Sequence, residues 1–564
     1  MRLNEKLLNA LDTVFCDEPL PLSDTLKYTE FLRCEAFTFQ WAIRLEPEET
    51  DKIWENGMEL RAVVESPISD KIEVYIAENV PAMKVGYRSS DDWFLRKTPG
   101  LYPDRLTKVK NLNFTAPRGL ARSIYFTINE ELCDIPSGEY PIKLKLYKRY
   151  RGEVDAVETF TELVTREITV KVIDACLPKQ KIIATNWIHY DCISHFSGYE
   201  PFSEEYFEVV KKYVRLAVKN GQNMIYVPAF TPPLDTPVGE ERMTVQLVDI
   251  TLENGEYTFD FSKLERFILI CLDAGAEYLE HNHLFTQWGA KNAPKIIVRE
   301  NGEKKKMFGW HTDASGEEYV HFLRSYITSL RKFLSENDYE KHFFFHVSDE
   351  PEQKSIESYS KASAIANELL EGLPCGDALS DYTFYEKEIV KIPIVTTDHI
   401  GNFLGKAEHL WAYFIGMQSY DNLPNRLIGM PEVRGRVLGA ELYFYNIEGF
   451  LHWGFNAWHN KLSRKLVDPR ISTDMNGDFV SGTSFIVYPS DDGAAEPSIR
   501  LISFRDAMQD ARALLLLENL MGREEVISVL KKHISDIGFN SRVSSEALIA
   551  LRAEINAMIE AEMA

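Results

Sequence analysis

A multidomain α/β protein is expected, with an N-terminal β-sandwich, a central (β/α)8 barrel of the TIM type and a C-terminal helical segment packed on the body. Three observations predict it. Alternating strand patterns fill residues 31–177 with no long helix between them, strand and helix patterns alternate from 180 onward, and the tail beyond 500 is helical. The corresponding domains are 1–178, 179–500 and 501–564. Length fits this division, since 564 residues exceed what one small core needs.

Residues 1–30 read as a weak helix followed by a Pro-containing link. AFTFQWAIRL (36–45), KIEVYIAENV (71–80), SIYFTINEEL (123–132), YPIKLKLYKR (140–149) and REITVKVIDA (166–175) have period-2 or β-rich character. Turn residues such as Ile135-Pro136-Ser137-Gly138 separate them, as in a sandwich of short strands. Leu177-Pro178-Lys179 is the expected linker.

Eight apolar strand candidates follow, at 181–187, 223–230, 276–285, 342–350, 375–381, 392–398, 410–416 and 450–458. Helical stretches at 203–221, 261–275, 317–337 and 355–372 lie between the earlier ones, with apolar residues at three- and four-residue spacing. This is the pattern of a (β/α)8 barrel, with an open doubly wound sheet as the alternative. No G-x-G-x-x-G or P-loop motif follows a strand, which disfavours nucleotide binding. In the tail, 502–522 carries an apolar face that should dock on the body, and 546–563 is a second amphipathic helix.

A net charge of −23 repels phosphate backbones and anionic lipid, so neither nucleic acid nor membrane is an expected partner. No run approaches the roughly 18 apolar residues of a membrane span. The N-terminal residues lack the apolar core of a signal peptide. Seven scattered cysteines without C-x-x-C read as free thiols in a reducing compartment, so a cytoplasmic location is expected. Aromatic residues reach 12%, which suits either a site that stacks sugar rings or large aromatic cores. Nothing in the sequence sets an oligomeric state.

Barrel active sites form at the C-terminal strand ends. The fourth candidate strand ends in two consecutive acids, Asp349 and Glu350, just before Pro351. Paired carboxylates suit glycosidic cleavage: one is held protonated to serve the leaving oxygen, and the other stays charged. Their proximity pushes the two pKa values apart. The alternative is an acidic loop or helix cap. Neighbours in an ideal strand face opposite ways, so both acids reach one pocket only if the strand ends or bulges there.

FHVSDEP (345–351), PGLYPDRL (99–106) and HWGFNAW (452–458), in this order of segments and domains, resemble glycoside hydrolase family 123 over most of the chain. The resemblance implies a retaining β-N-acetylgalactosaminidase working by substrate-assisted catalysis. Glu350 would be the general acid/base. Asp349 would hold the N–H of the 2-acetamido group, whose carbonyl oxygen attacks the anomeric carbon to give an oxazoline. The expected partner is a small glycan or glycoconjugate, and no cofactor or metal is implied.

Around the pair, Trp411, Trp453 and Trp458 could wall the sugar pocket, and Tyr413 or Tyr382 could donate to the acetamido carbonyl. Asn456 and Asp381 could bind hydroxyls, Trp310 could form an aglycone platform, and His189 and His283 could bind sugar or sit in the core. Two other functions remain open. His281 and His283, two apart on one strand face, could join His189, Asp349 or Asp398 as zinc or manganese ligands of a metal-dependent hydrolase. A non-catalytic carbohydrate-binding protein on the same fold is the other.

Overall fold

The computed structural model describes residues 1–49, 56–109, 112–151 and 158–563. Ten strands come first: β1 (Arg2–Asn9), β2 (Tyr28–Leu32), β3 (Phe37–Glu46), β4 (Gly57–Glu65), β5 (Ile72–Ala82), β6 (Gly100–Lys108), β7 (Asn113–Pro117), β8 (Ala121–Ile128), β9 (Gly138–Arg151) and β10 (Glu158–Ile173). They form two five-stranded sheets, ordered β1-β3-β8-β5-β6 and β2-β10-β9-β4-β7. Phe39, Trp41, Ile124 and Phe126 of the first share one buried cluster with Leu60, Ile142, Leu144, Ile168 and Val170 of the second. Period-2 alternation therefore closes a core between the sheets.

The helix expected within residues 1–30 is not formed. Arg2–Asn9 pairs antiparallel with β3 along its whole length, from Arg2↔Glu46 to Asn9↔Phe39. A short, weak helical pattern yields to a ready sheet edge because helix propensity is a small per-residue bias.

Twelve strands follow: β11 (Ile183–Asn186), β12 (Met224–Val227), β13 (Asp249–Glu253), β14 (Glu256–Asp260), β15 (Tyr278–His281), β16 (Ile296–Glu300), β17 (Glu303–Phe308), β18 (Phe343–Phe344), β19 (Gly376–Leu379), β20 (Ile392–Thr396), β21 (Trp411–Tyr413) and β22 (Gly449–His452). Eight of them run parallel, in sheets ordered β11-β22-β21-β20-β19 and β12-β15-β18. A bridge between Phe345 and Cys375 joins the two sheets on one side. On the other side the Asn223 N–H donates to the Ala184 carbonyl at 3.2 Å, and the Asn223 side-chain oxygen accepts from the Ala184 N–H at 2.8 Å. Neighbour order around the eight is thus cyclic. The remaining four strands form their own sheet, β14-β13-β16-β17.

Helices α1 (Tyr190–Ser197), α2 (Glu204–Lys219), α3 (Ser262–Asp273), α4 (Glu317–Glu336) and α5 (Ile356–Leu369) follow the first four parallel strands. The regular alternation then lapses. β19 is followed only by the four-residue α6 (Thr383–Glu386), and β20 only by a 3-10 turn at Ile400–Asn402. Before β22 come the short α7 (Glu432–Arg436) and α8 (Leu438–Phe444). One full helix per strand, as the barrel reading expected, is therefore not realised on this side.

The tail forms α9 (Ile499–Met521), α10 (Arg523–His533) and α11 (Ser545–Met563). α9 is more deeply set than a helix with one docking face. Arg500, Arg505, Asp506 and Asp510 are buried along with Leu501, Leu514, Leu515 and Leu517. Each of these charges has an ionic or hydrogen-bonding partner, as burial requires. Arg500 forms a bidentate pair with Asp104 of β6, with 2.9 Å from Nε to Oδ1 and from Nη2 to Oδ2. The Tyr488 hydroxyl donates to the same carboxylate. The pair ties the N-terminal sheets to the C-terminal helices. Among the described residues no helix is long and apolar enough to cross a membrane.

Removing one partner of a buried pair leaves an uncompensated charge. Asp104→Asn is therefore expected to cost about 3–5 kcal/mol, measured as a fall in the denaturant midpoint; an unchanged midpoint would show that Arg500 finds another counter-charge.

Candidate active site

The C-terminal ends of the parallel strands open on a cavity of about 430 Å³, lined among others by Trp187, His189, Asp349, Glu350, Tyr413 and Trp453. The size is that of a small-ligand site. The geometry of the acid pair comes from where β18 stops. Regular pairing ends at Phe344, the Phe345 bridge follows, and Glu350 takes a left-handed conformation with φ of 45°. For a side chain of this size that is a strained position, which the surroundings must fix. Three hydrogen bonds fix it. The Glu350 N–H donates to the Ala378 carbonyl at 3.1 Å, the Trp288 N–H donates to the Asp349 carbonyl at 2.9 Å, and the Ser348 hydroxyl donates to the Thr286 carbonyl at 2.7 Å. The turn breaks the strand's alternation, so both acids line one cavity.

Asp349 is buried. Burial pushes its carboxyl well above the usual carboxylate range, and the neighbouring Glu350 and Asp377 push the same way. Among the described residues its side chain has one hydrogen bond, a long 3.4 Å donation from the Gln287 amide. Glu350 is partly open to the cavity. Burial raises it too, but the Tyr413 hydroxyl donates to Oε1 at 2.9 Å and pulls it back. Two acids thus share a wall with one good donor between them, and that donor serves Glu350.

Beneath the pair lies a wholly buried array. His346 is flanked by Glu280, 2.6 Å from Nε2, and by Asp377, 3.3 Å from Nδ1. Burial alone would discharge the ring, but the two carboxylates outweigh it and push the imidazole up to about 10. The Trp187 indole N–H donates to Glu280 at 2.8 Å. The N–H groups of Val347 and Ser348 each donate to Asp377 at 3.0 Å.

His189 and Trp453 form the next wall. Arg242 donates to His189 Nδ1 at 3.0 Å, and His189 Nε2 donates to the Trp453 carbonyl at 2.9 Å, which fixes the tautomer. Burial and the Arg242 charge push this imidazole down to about 3, so it is neutral. Phe479 packs on Trp453 with ring centroids 5.6 Å apart.

Several residues expected at the site lie elsewhere. Trp411 is core, stacked on Phe344 at 4.8 Å. Trp458 is fully buried and donates to the Val487 carbonyl at 3.1 Å. Trp411 stands two residues before Tyr413 on β21, on the same face but deeper along the strand than the cavity, and Trp458 lies six residues beyond the end of β22, packed on Phe196. Asn456 clips the His189 backbone, accepting from its N–H at 2.8 Å and donating to its carbonyl at 3.1 Å. It has no free face for a hydroxyl. Asp381 accepts from the Thr383 N–H at the start of α6, and Tyr382 packs against Phe403 at 5.1 Å. Trp310 lines a separate small cavity with Arg242 and Lys306. His283 is buried below the site, stacked on His346 at 4.6 Å.

The cavity also takes residues that strand-end reasoning missed: Trp288 and Gln287 beyond β15, Asp235 after β12, Asp478 and Phe479 from a late loop, and Tyr87 from the N-terminal part. Trp288 was discoverable as an aromatic residue seven positions past the end of β15. Tyr87 carried no signal, because nothing local says that its loop reaches the cavity.

The metal-ligand set does not assemble as expected. His281 engages the Asn282 carbonyl at 2.6 Å and the Tyr326 hydroxyl at 2.8 Å, away from His283. Asp398 is satisfied by the Tyr420 hydroxyl at 2.6 Å and by Gln418, which hold it down at about 2. His283, His346 and Asp377 do cluster. A protonated His346, bonded on both sides, has no lone pair for a metal. The free Nε2 of His283 is then a single donor.

Comparison with known proteins identifies the family. Residues 187–517, more than half of the chain, match the family described as glycoside hydrolase 123, catalytic domain. The chain belongs to glycoside hydrolase family 123 and is a glycosidase. Its fold is similar to that of a family 123 glycoside hydrolase from Clostridium perfringens, studied for glycolipid glycan hydrolysis. That match has a TM-score of 0.70 and 13% identity, and covers 100% of this chain and 98% of the other. A β-glucuronidase from Bifidobacterium dentium matches weakly, with a TM-score of 0.32, 9% identity, and coverage of 90% and 67%. No curated protein sequence matches.

Trp411→Ala is expected to cost about 3–5 kcal/mol in denaturant unfolding, as for a large core aromatic residue. Trp453→Ala, on the cavity wall, should cost less stability and show itself in ligand affinity. Equal stability losses would contradict this division.

Proposed function

We propose that this glycosidase is a retaining exo-enzyme that releases a terminal β-linked 2-acetamido sugar, N-acetylgalactosamine foremost, by substrate-assisted catalysis. The observation that carries the reading is the turn that sets Asp349 and Glu350 side by side at one wall. Acids on neighbouring residues are poorly placed to act as acid and nucleophile on opposite faces of one sugar. They are well placed to serve two nearby atoms on one side of it. Glu350 gives its proton to the leaving oxygen. Asp349 accepts the acetamido N–H, so that the acetamido carbonyl oxygen closes on the anomeric carbon and forms the oxazoline. Glu350 then takes a proton from the water that attacks the anomeric carbon, Asp349 returns the amide proton to the acetamido nitrogen, and the ring opens with net retention.

The raised Asp349 fits a site waiting for its donor. With no donor closer than 3.4 Å it holds a proton readily. An amide N–H placed against it supplies the missing hydrogen bond and favours the carboxylate. Tyr413, bonded to Glu350, tunes the acid instead of binding the acetamido carbonyl. Trp453 and Trp187 supply the apolar walls of the sugar pocket, and Trp288, 39% exposed at the rim, supplies the leaving-group side. The reading takes the eight parallel strands as one closed barrel, supported by their cyclic neighbour order, and the N-terminal sheets as a sandwich, supported by their shared core. The glycolipid glycan named for the Clostridium perfringens enzyme is a candidate substrate class.

Aryl β-N-acetylgalactosaminides and β-N-acetylglucosaminides should be hydrolysed at rates indifferent to chelator, with inhibition by a thiazoline analogue. Asp349→Asn should lower kcat by about 10²–10³. Glu350→Gln should lower it by about 10²–10⁴ on poor leaving groups and least on good ones. Near wild-type turnover by Asp349→Asn would sink the substrate-assisted reading.

Tyr413→Phe removes the donor that holds Glu350 down, so the Glu350 pKa rises. The acid works protonated, and activity falls as pH rises through its pKa. The alkaline limb of the kcat/KM profile should therefore move to higher pH, and a shift to lower pH would contradict the role given to Glu350.

A further inference from the structure

The array beneath the acids is too expensive to be packing. His346, Glu280 and Asp377 have no exposed surface. Three buried ionisable groups cost more than an apolar filling of the same volume unless their geometry does something else. That geometry is specific. Asp377 accepts four donors, two on each oxygen: His346 Nδ1 and the Val347 N–H on Oδ1, and the Ser348 N–H and the Tyr359 hydroxyl on Oδ2. Glu280 accepts His346 Nε2 and the Trp187 indole N–H on Oε1, and the Thr185 hydroxyl on Oε2 at 2.6 Å. The imidazole joins these two carboxylates. One end of the chain of bonds grips the N–H groups of Val347 and Ser348, the two residues before Asp349. The other end grips the aromatic wall of the cavity. Between them it crosses β11, β15, the segment after β18, β19 and α5.

We propose that Glu280, His346 and Asp377 are the positioning residues of this active site, holding the backbone of Val347 and Ser348 just before Asp349 and the Trp187 indole as one rigid unit so that the sugar ring and its acetamido group meet at a fixed separation. The inference rests on the function proposed above for its substrate, and on the hydrogen bonds alone for its geometry. A backbone turn strained at Glu350 drifts unless the residues before it are pinned, and Asp377 pins two successive N–H groups there. Trp187 in turn has Tyr226 at 5.4 Å and His283 at 5.1 Å around it, so its plane is set by packing and its tilt by Glu280. The groups that face the His346 ring are Glu280, Asp377, His283 stacked at 4.6 Å, Trp187 and Phe344, with the Asp349 charge near enough to act on it.

The test compares His346→Gln, Asp377→Asn and Tyr359→Phe in the full-length protein, with folded fraction set by thermal melting. On an aryl 2-acetamido glycoside, His346→Gln and Asp377→Asn should each lose about 100-fold in kcat per folded molecule, the scale of an ångström's misplacement, with KM changed by less than about threefold. Tyr359→Phe removes one of four donors and should lose about tenfold or less. It keeps the test open if Asp377→Asn does not fold. Unchanged kcat per folded molecule, or a change in KM alone, would overturn the proposal. A second readout does not involve turnover. In nitrogen-15 histidine spectra one imidazole should stay doubly protonated from about pH 6 to pH 8 and vanish in His346→Gln. A neutral His346 at pH 7 would also overturn the proposal. Absence of any wild-type turnover on 2-acetamido glycosides would sink the functional reading instead, and the spectra would still decide the array.

Discussion

A strand that delivers acids to a cavity must end, and it must end in a way the rest of the fold enforces. Here regular pairing stops after two residues of β18, and the chain turns through a left-handed Glu350. Everything around the site is arranged to hold that turn. The carbonyls of Thr286 and Ala378, from the flanking β15 and β19 segments, accept from Ser348 and Glu350. The Trp288 N–H closes the turn from outside, and Asp377 closes it from below. The strain of one residue is thereby distributed over three strands, and strained backbone persists only where its surroundings over-determine it.

The same logic operates at larger scale. The loop that carries Tyr87 is placed by Asp91, which forms a bidentate pair with Arg434 of α7 at 2.8 and 2.9 Å and also accepts from the Asn422 N–H. Arg434 is wholly buried, so its charge depends on Asp91. Asp104 and Arg500 repeat the arrangement between β6 and α9. An N-terminal residue can therefore line a cavity otherwise built by the parallel strands, because buried ion pairs fix the two parts against each other.

How much of this was legible in the sequence depends on the range of the interaction. Alternation in 36–45 and 166–175 marked β3 and β10, and three- and four-residue spacing marked α2 through α5, because these patterns record burial of one face. The acid pair was legible because Asp-Glu-Pro at the end of an apolar run is chemically odd. Residues 1–9 were misread because the sheet edge that recruits them lies more than 30 residues away. The aromatic residues of the last strands were misassigned for a related reason. Trp411 and Trp458 look like pocket walls in isolation, but Trp411 sits one pleat deeper than Tyr413 on the same face, and Trp458 lies past the end of β22 against Phe196 and the Val487 carbonyl, depths that only the three-dimensional packing sets. The Glu280–His346–Asp377 array escaped notice because its members stand on three strands and none of them is unusual alone.

The placement of donors around the two acids separates their roles more firmly than their chemistry does. A carboxylate prepared to act as a permanent charge is usually surrounded by N–H and O–H groups that hold it low, as Asp398 is with the Tyr420 hydroxyl and Gln418. Asp349 has the opposite treatment. It is buried beside a second acid, with one long amide contact. Such a group is unstable as an anion until something else donates to it. The cavity is the direction left open, since the Asp349 carbonyl is already taken by Trp288 and the Ser348 N–H before it by Asp377. A donor that arrives with the ligand would thus be rewarded by the whole cost of the anion's desolvation. An amide N–H meets that requirement, and so does a hydroxyl. Only the amide brings its own nucleophilic oxygen to the neighbouring carbon, which is the ground for proposing an acetamido sugar here over a simple hexose.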